Sequence, residues 1–573
     1  MTRSYGIFID AGSSGSRLQI YSWAFPGDRN GVKREANLPL IEPGNGDEGD
    51  WSIKVHPGIS SFAEQPKHVG KKHLKKLLDY AEKVVPDDKH EETPVFLSAT
   101  AGMRLLPHKT QRKILDSACH YIKKEYNFSL PDCASMVRVI DGRAEGMYGW
   151  LATNYLLGNL DKSSATSTGF LDMGGASAQI AFEVSPEVQK AYGDSVSTVH
   201  LGLDNGEQIE YPLFVYTWLG FGTSQAYNRY LNALVEGNRN SPSETIDEPC
   251  SLRGRQYSKN GHSFTGTGDL EQCLKHTYTL LNKEAPCSQD PCGFDGISIP
   301  PIDFVNHEFV GVSEFWYTTN DVFDMGGSYH FPNFYQKVGD YCASDWESML
   351  SRLYNHQLSP STDESKLEKL CFKASWVLNF LHEGFGFPKT NTSGADDQQT
   401  DGLDLMPAYH SHFTSLEKVD RTEISWTLGQ VLLYSSNQQF LQSPKYANYQ
   451  LDAFGKLIPF KDSFQDNING YISALSVLLL IFIFGFLSFM LALNPKRRTR
   501  FKNFLLRVRG MKGRYIVNAH GDYEDIADFD DDLEMTSFSK SRAAPIRTTS
   551  SHILADHLAF NFSRERTPRS PLP

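Results

Sequence analysis

The sequence predicts an α/β protein built as two similar lobes facing a cleft. Two observations carry this. Through the first 220 residues, short apolar runs alternate with helical patterns, the signature of helices packed on a central sheet. And one strand–turn–strand occurs twice: Gly6-Ile-Phe-Ile-Asp10-Ala-Gly12-Ser-Ser-Gly-Ser-Arg-Leu18 aligns with Gly169-Phe-Leu-Asp172-Met-Gly174-Gly-Ala-Ser-Ala-Gln-Ile180. The two aspartates are 162 residues apart, about the length of a domain. With 573 residues, 40% of them hydrophobic and 22% charged, there is apolar material for a large core.

Taken in chain order, Ile7-Phe-Ile, Val95-Phe-Leu, Val137-Arg-Val-Ile and Phe170-Leu read as strands, and Leu18-Gln-Ile-Tyr and Ile180-Ala-Phe as the second strand of each repeat. Lys71 to Val85 and Lys109 to Tyr126 read as helices, with apolar residues at helical spacing. Pro242 to Gly268 and Phe387 to Met406 read as polar loops. The expected organisation is 1–165 as a first lobe and 166–460 as a second, with the chain near 430–460 free to return to the first. A span at 471–493 and a disordered tail at 494–573 complete it.

The span is Tyr471 to Leu493, 23 residues without a charge. At about 1.5 Å per residue it is long enough for a bilayer core of roughly 30 Å. Lys496, Arg497, Arg498, Arg500 and Lys502 follow it, so the positive-inside bias puts the tail in the cytosol and residues 1 to 470 in a lumen or outside the cell. No recognisable signal peptide begins the sequence. Two features agree with the lumenal side: all eight cysteines precede the span, and Asn127-Phe-Ser and Asn391-Thr-Ser are glycosylation sequons. Cys250, Cys273, Cys287 and Cys292 lie in a loop-rich stretch where disulfides would substitute for core; zinc is the rival reading, but no Cys-x-x-Cys pair occurs. Cys119, within a helical run, reads as a free buried thiol. The tail, basic and then acidic from Asp522 to Glu534, has little to bury; it is a candidate for a cytosolic partner. A net charge of −12 argues against nucleic acid as a ligand.

The chemistry sits in the repeats. Glycine permits a tight turn with φ > 0 and close approach of a ligand, and successive amides of such a turn converge as a nest for anionic oxygens. Ser13, Ser14, Ser16 and Ser177 add hydroxyl donors. Asp10 and Asp172, at strand ends, suit a hydrated divalent cation that offsets phosphate charge. A single Gly/Ser turn is an ordinary hairpin; two matched copies point to successive phosphates of one polyphosphate. Transfer of phosphate to water needs a base, and Glu145, in the first turn after the strand ending at Asp141, is the candidate. Its competing reading is a solvated first-turn glutamate favoured by the helix dipole. Thr100 reads alternatively as a plain helix cap.

Five segments in order resemble the apyrase, or nucleoside triphosphate diphosphohydrolase, family of ecto-ATPases and Golgi nucleoside diphosphatases. They are Asp10–Arg17, Ser98–Arg104, Asp141–Trp150, Asp172–Gln179 and Trp426–Gly429. The resemblance implies the two-lobed actin-like ATPase (ribonuclease H-like) fold and hydrolysis of nucleoside tri- and diphosphates. It implies Ca²⁺ or Mg²⁺, with Mn²⁺ as a further option, held mostly through waters at Asp10 and Asp172. Glu145 is then the general base, Thr100 contacts the terminal phosphate or water, and Ser177 and Gln179 position the attacking water. Ser13, Ser14, Gly15, Ser16 and Arg17, with Gly174, Gly175 and Ala176, cradle phosphates. Trp316, within Phe315-Trp316-Tyr317, would lie against the base, and Trp426 would support that pocket; Leu370 stands where cell-surface relatives carry an aromatic. The resemblance pairs Cys342 with Cys371 and implies an interleaved set among the four cysteines from 250 to 292. The late anchor looks most like the family's Golgi members, which would place the site in the Golgi lumen. A nucleotide-driven chaperone or sensor on the same fold, and a small-molecule kinase, are the alternatives.

Overall fold

Strand β1 (Ser4–Ala11) carries Ile7, Phe8 and Ile9 with no water on either face, which is what a central strand covered on both sides requires. The computed structural model describes residues 3–459, apart from 25–37, 45–50, 161–166, 204–206, 240–243, 361, 390–410, 443–448 and 453–454. Around β1, strands β2 (Ser16–Ala24), β3 (Leu40–Glu42), β4 (Ser52–Val55), β5 (Val95–Ala99) and β6 (Val137–Val139) form a sheet of order β3-β2-β1-β5-β6, with β4 also on β2. The pairings run antiparallel, antiparallel, parallel, parallel along that order.

The second sheet repeats this plan. It contains β7 (Gly169–Met173), β8 (Ser177–Glu183), β9 (Val196–Gly202) and β10 (Gln208–Leu219). A small satellite sheet follows, made of β11 (Thr245–Glu248), β12 (Gln256–Lys259) and β13 (His262–Gly266), before β14 (Phe309–Ser313), β15 (Gly327–Ser328) and β16 (Phe413–Ser415) complete the large one. Its central run β10-β8-β7-β14-β16 is antiparallel, antiparallel, parallel, parallel. The duplicated sheet order is that of the actin-like α/β fold, and it puts the two Asp-bearing strands, β1 and β7, at equivalent central positions.

Helix Gly142–Leu157 is buried almost all round, as expected of a helix enclosed by other elements rather than lying on a surface. Helix Trp426–Gln442 packs along it, and Gly429 makes the contact: a Cβ there would overlap the Tyr148 carbonyl oxygen. The same helix reaches the first sheet, where Thr427 Oγ1 lies 2.8 Å from the Tyr21 hydroxyl and the Tyr434 ring packs on Phe96 and Trp23.

Three expectations are corrected. The stretch Pro242 to Gly268 is not simply loop: it holds the satellite sheet, in which Phe264 is buried and stacks on Tyr257. Cys119 is not a free thiol; the chain returns from helix His108–Glu125 to set Cys133 opposite it, with Cα atoms 6.0 Å apart, and the two are bonded. The cysteines from 250 to 292 are paired sequentially, not interleaved. Cys250 bonds Cys273 on helix Leu270–Thr279, and Cys287 bonds Cys292 within one local turn. Cys342 is bonded to Cys371. Asn127 is exposed, whereas Asn391, the segment 471–493 and the tail lie outside the described residues. Among the described residues no helix is long and apolar enough to cross a membrane.

Because the Tyr148 backbone cannot give way inside a buried helix pair, Gly429→Val should destabilise the protein by roughly 1–3 kcal/mol, the usual cost of overpacking. Denaturant unfolding of the purified protein checks this; an unchanged midpoint would contradict the packing assigned to Gly429.

Candidate functional site

Asp10 and Asp172 lie near the ends of β1 and β7, in register with Arg17 of β2 and Gln179 of β8. Counted between the last register pairs, Ala11 with Ser16 and Met173 with Ala178, each turn has four residues, Gly12–Gly15 and Gly174–Ser177. None of the glycines in these loops has positive φ; close approach, not handedness, favours glycine at positions 15 and 175. A Cβ on Gly175 would stand 3.1 Å from Ser13 Oγ and 3.4 Å from Ser224 Oγ. The two loops therefore face each other closely, with little room for a side chain at Gly175. The second loop is pinned from behind by the start of helix Thr223–Gly237, whose Thr223 and Ser224 amides donate to the Gly174 and Gly175 carbonyls at 2.9 and 3.0 Å.

Glu145 is 7% exposed, which removes the reading of a solvated first-turn glutamate. Arg104 ion-pairs with it, and the Gln179 side-chain amide lies 3.4 Å from the same carboxylate oxygen while donating to Ser177 Oγ at 2.7 Å and Thr217 Oγ1 at 3.2 Å. Thr100 stands at the start of helix Ala101–Arg104, yet its side chain makes no capping hydrogen bond, so its hydroxyl is not consumed as a cap.

Three carboxyls feel one another here. Asp10 is raised to about 8, first by loss of water and then by the charges of Glu145 and Asp172. Glu145 is raised to about 7 by burial, with Arg104 opposing and Asp172 adding to the shift. Asp172 is raised to about 6 by burial, against a hydrogen bond from the Ser313 side chain. Ser313 itself holds φ of 56°, a left-handed backbone that a non-glycine residue adopts at a cost.

Not every predicted residue joins this centre. The Arg17 guanidinium is held by Glu423, and its Nε donates to Ser52 at 3.0 Å. Of the first-loop serines, Ser13 and Ser14 are exposed, but Ser16 is fully buried with its hydroxyl on His73. Trp426 is buried and stacks on Tyr148, a packing role. Trp316 is half-buried, its ring lying where a Cβ on Gly326 would be, whereas its neighbour Tyr317 is 40% exposed. Leu370 is core. The sequence reading gave no role to Arg104, Thr217, Ser224 or Ser313. Only Arg104 lay within a recognised segment; the others come from distant strands and helix starts.

The centre fits a divalent cation. Oδ1 of Asp10 and Oδ1 of Asp172 are buried with no hydrogen-bond partner, as expected of oxygens meant for an ion and its waters. Among the described residues no group of three or more His, Cys, Asp or Glu converges tightly enough to bind a metal alone. Two carboxylates, with waters and phosphate oxygens filling the remaining positions, match how Mg²⁺ and Ca²⁺ are held.

Comparison with known proteins agrees with this chemistry. Residues 1–448 match the model of the GDA1/CD39 (nucleoside phosphatase) family. The chain is 65% identical to the Golgi apyrase of Schizosaccharomyces pombe, covering 100% of both. It is 40% identical to the Golgi apyrase of Saccharomyces cerevisiae, over 75% of this chain and 70% of that one. The nucleoside-diphosphatase mig-23 of Caenorhabditis elegans is 32% identical over 75% of this chain and 77% of its own length. Among solved structures, nucleoside triphosphate hydrolases from Neospora caninum give a TM-score of 0.49 at 13% identity, over 77% of this chain and 93% of that one.

Each of the three carboxyls binds its proton more tightly folded than unfolded. The stability they contribute is complete below about pH 4 and is lost as pH rises through 6 to 8. A divalent cation offsets that loss by binding the ionised form. Saturating Mg²⁺ or Ca²⁺ should therefore raise the thermal midpoint more at pH 8 than at pH 5, and Asp10→Asn should shrink the difference. Equal increments at both pH values would contradict a cation at these carboxylates.

Proposed function

Since this chain belongs to the GDA1/CD39 (nucleoside phosphatase) family and is a nucleoside phosphate hydrolase, we propose that it is a divalent-cation-dependent apyrase. It removes the terminal phosphate of nucleoside tri- and diphosphates (ATP, ADP, GTP, GDP, UTP, UDP) by direct attack of water. The observation that carries this reading is the buried Glu145, set among Asp10, Asp172 and Gln179 where two Gly/Ser loops face each other.

Each residue has a task. Amides and hydroxyls of Ser13, Ser14, Gly15, Gly174, Gly175 and Ala176 hold the phosphates, and the Thr100 hydroxyl contacts the terminal one. Ser177 and Gln179 orient a water beside Glu145. The carboxylate of Glu145 takes a proton as the water oxygen bonds to the terminal phosphorus, and the bond from phosphorus to the bridging oxygen breaks with its electrons on the departing nucleotide. Arg104 favours the ionised base and fixes its direction. Asp10 and Asp172 would hold the cation, which when bound supplies positive charge to the phosphate oxygens. No phosphoenzyme is expected, since the aspartates are assigned to the cation and water is the nucleophile.

The lobes are 1–165 and 166–460. A Golgi location is supported by the two yeast relatives, both named Golgi apyrases. The four disulfides suit an oxidising lumen. There the enzyme would convert the nucleoside diphosphates released by glycosyl transfer to monophosphates, anchored by 471–493 with its tail in the cytosol.

Glu145→Gln keeps the size and removes the base. Phosphate release from GDP and ATP should fall by about 10²–10⁴-fold, the usual worth of a general base. Retention of the parental rate would overturn the assignment, and tight retention of nucleotide with a single turnover would favour a nucleotide sensor.

A further inference from the structure

The two phosphate loops are equal in length and are held in place differently. Behind the second loop, helix Thr223–Gly237 supplies backbone hydrogen bonds to Gly174 and Gly175. Among the described residues no backbone amide does this for Gly12–Gly15. The first loop is held instead by its neck, the register pair Ala11 and Ser16, and by side chains and close approaches. Thr100 N donates to Ala11 O at 3.2 Å, His56 Nδ1 lies 2.8 Å from Ser14 O, and Gly58 is packed so tightly on the Gly12 and Ser13 carbonyls that a Cβ would collide with them.

The closest of these braces is fully buried. Ser16 Oγ lies 2.7 Å from Nε2 of His73, with the two residues 0% and 2% exposed. His73 comes from a π-helical turn, Gly70–Leu74, that precedes helix Lys75–Val84, and the Phe62 ring meets it edge-on at 5.4 Å. Wide turns of this kind re-aim one side chain out of the helical register. In the second lobe the residue equivalent to Ser16 is Ala178, in register with Met173 as Ser16 is with Ala11. It has no hydroxyl, so the brace exists only where the helix-borne amides do not.

We propose that His73 is a positioning residue for the phosphate loop Gly12–Gly15, acting through the Ser16 hydroxyl. The bond turns that hydroxyl inward and fixes the first residue of β2, leaving Ser13 and Ser14 as the hydroxyls presented to a ligand. Loss of water keeps the imidazole neutral, its pKa lowered to about 4, so the bond persists across the physiological range. An amide-bearing side chain of similar reach could replace it; an apolar one would leave the buried Ser16 hydroxyl without a partner.

This rests on the loop being a phosphate cradle, so the test pairs a kinetic with a non-kinetic readout. GDP hydrolysis with Mg²⁺, and hydrogen exchange of peptides from the two loops, are measured for the parent, His73→Leu, His73→Gln, Ser16→Ala and the double variant Ser16→Ala/His73→Leu. We expect His73→Leu to lower kcat/KM by roughly 10- to 100-fold, the scale of a misplaced binding group. Exchange should quicken around residues 11–17 but not 173–180, His73→Gln should recover most of the loss, and the double variant should be no worse than the poorer single one. Parental exchange and kinetics in His73→Leu, a glutamine variant as poor as leucine, or additive single effects would each overturn the proposal. Should His73→Leu fail to fold, Ser16→Ala with its loop-specific exchange decides the matter. A parent that hydrolyses no nucleotide defeats the apyrase reading instead, while the exchange comparison still judges the brace.

Discussion

The structure turns on confining the carboxyls of Asp10, Glu145 and Asp172 within one another's fields at the seam between two sheets. Taking a carboxylate out of water is expensive, and a second or third nearby multiplies the cost. Protein groups offset part of it: Arg104 on Glu145, the Ser313 hydroxyl on Asp172, and the charges of Arg17 and Lys54 on Asp10. The remainder is unmet, which is visible in the raised carboxyls and in the unpartnered oxygens of both aspartates. A site left in that condition has affinity for positive charge built into it.

Duplication creates this seam and divergence gives its halves different work. Both copies run strand, Asp, small-residue loop, strand, in the same sheet order. At equivalent register positions, however, Gln179 turns to Glu145 whereas Arg17 is taken up by Glu423. Ser177, one residue before the equivalent of Ser16, hydrogen-bonds to Gln179, while the Ser16 hydroxyl pairs with His73. The second copy thus gathers polar side chains around Glu145, and the first directs its own away from it. The helix from Trp426 onward, closed onto helix Gly142–Leu157 through Gly429, ties Glu145's helix to the first sheet.

The repeated Asp-x-Gly turns were legible because strand ends, glycine and serine leave a local pattern, and from them the α/β class, the paired loops and the four gathered residues Asp10, Glu145, Asp172 and Gln179 could be read. What could not be read depends on contacts distant in sequence. The Ser16 hydroxyl meets its partner in His73, 57 residues away, and Arg17 is engaged by Glu423. Ser313 reaches Asp172 only because β14 lies beside β7. The glycines were singled out partly for positive φ, which none of them adopts; of the four, Gly175 is the one that approaches the opposite loop. The satellite sheet escaped notice because its strands are four or five residues long and flanked by polar turns.

The most direct measurement is Mn²⁺ affinity in the presence of a non-hydrolysable nucleotide, followed by electron paramagnetic resonance, for the parent and for Asp10→Asn and Asp172→Asn. If both aspartates serve one ion held with the phosphates, each substitution weakens binding by about tenfold or more, and phosphorus couplings to the bound Mn²⁺ diminish in both. Parental affinity and couplings after either substitution would mean that the two loops do not close over a shared centre.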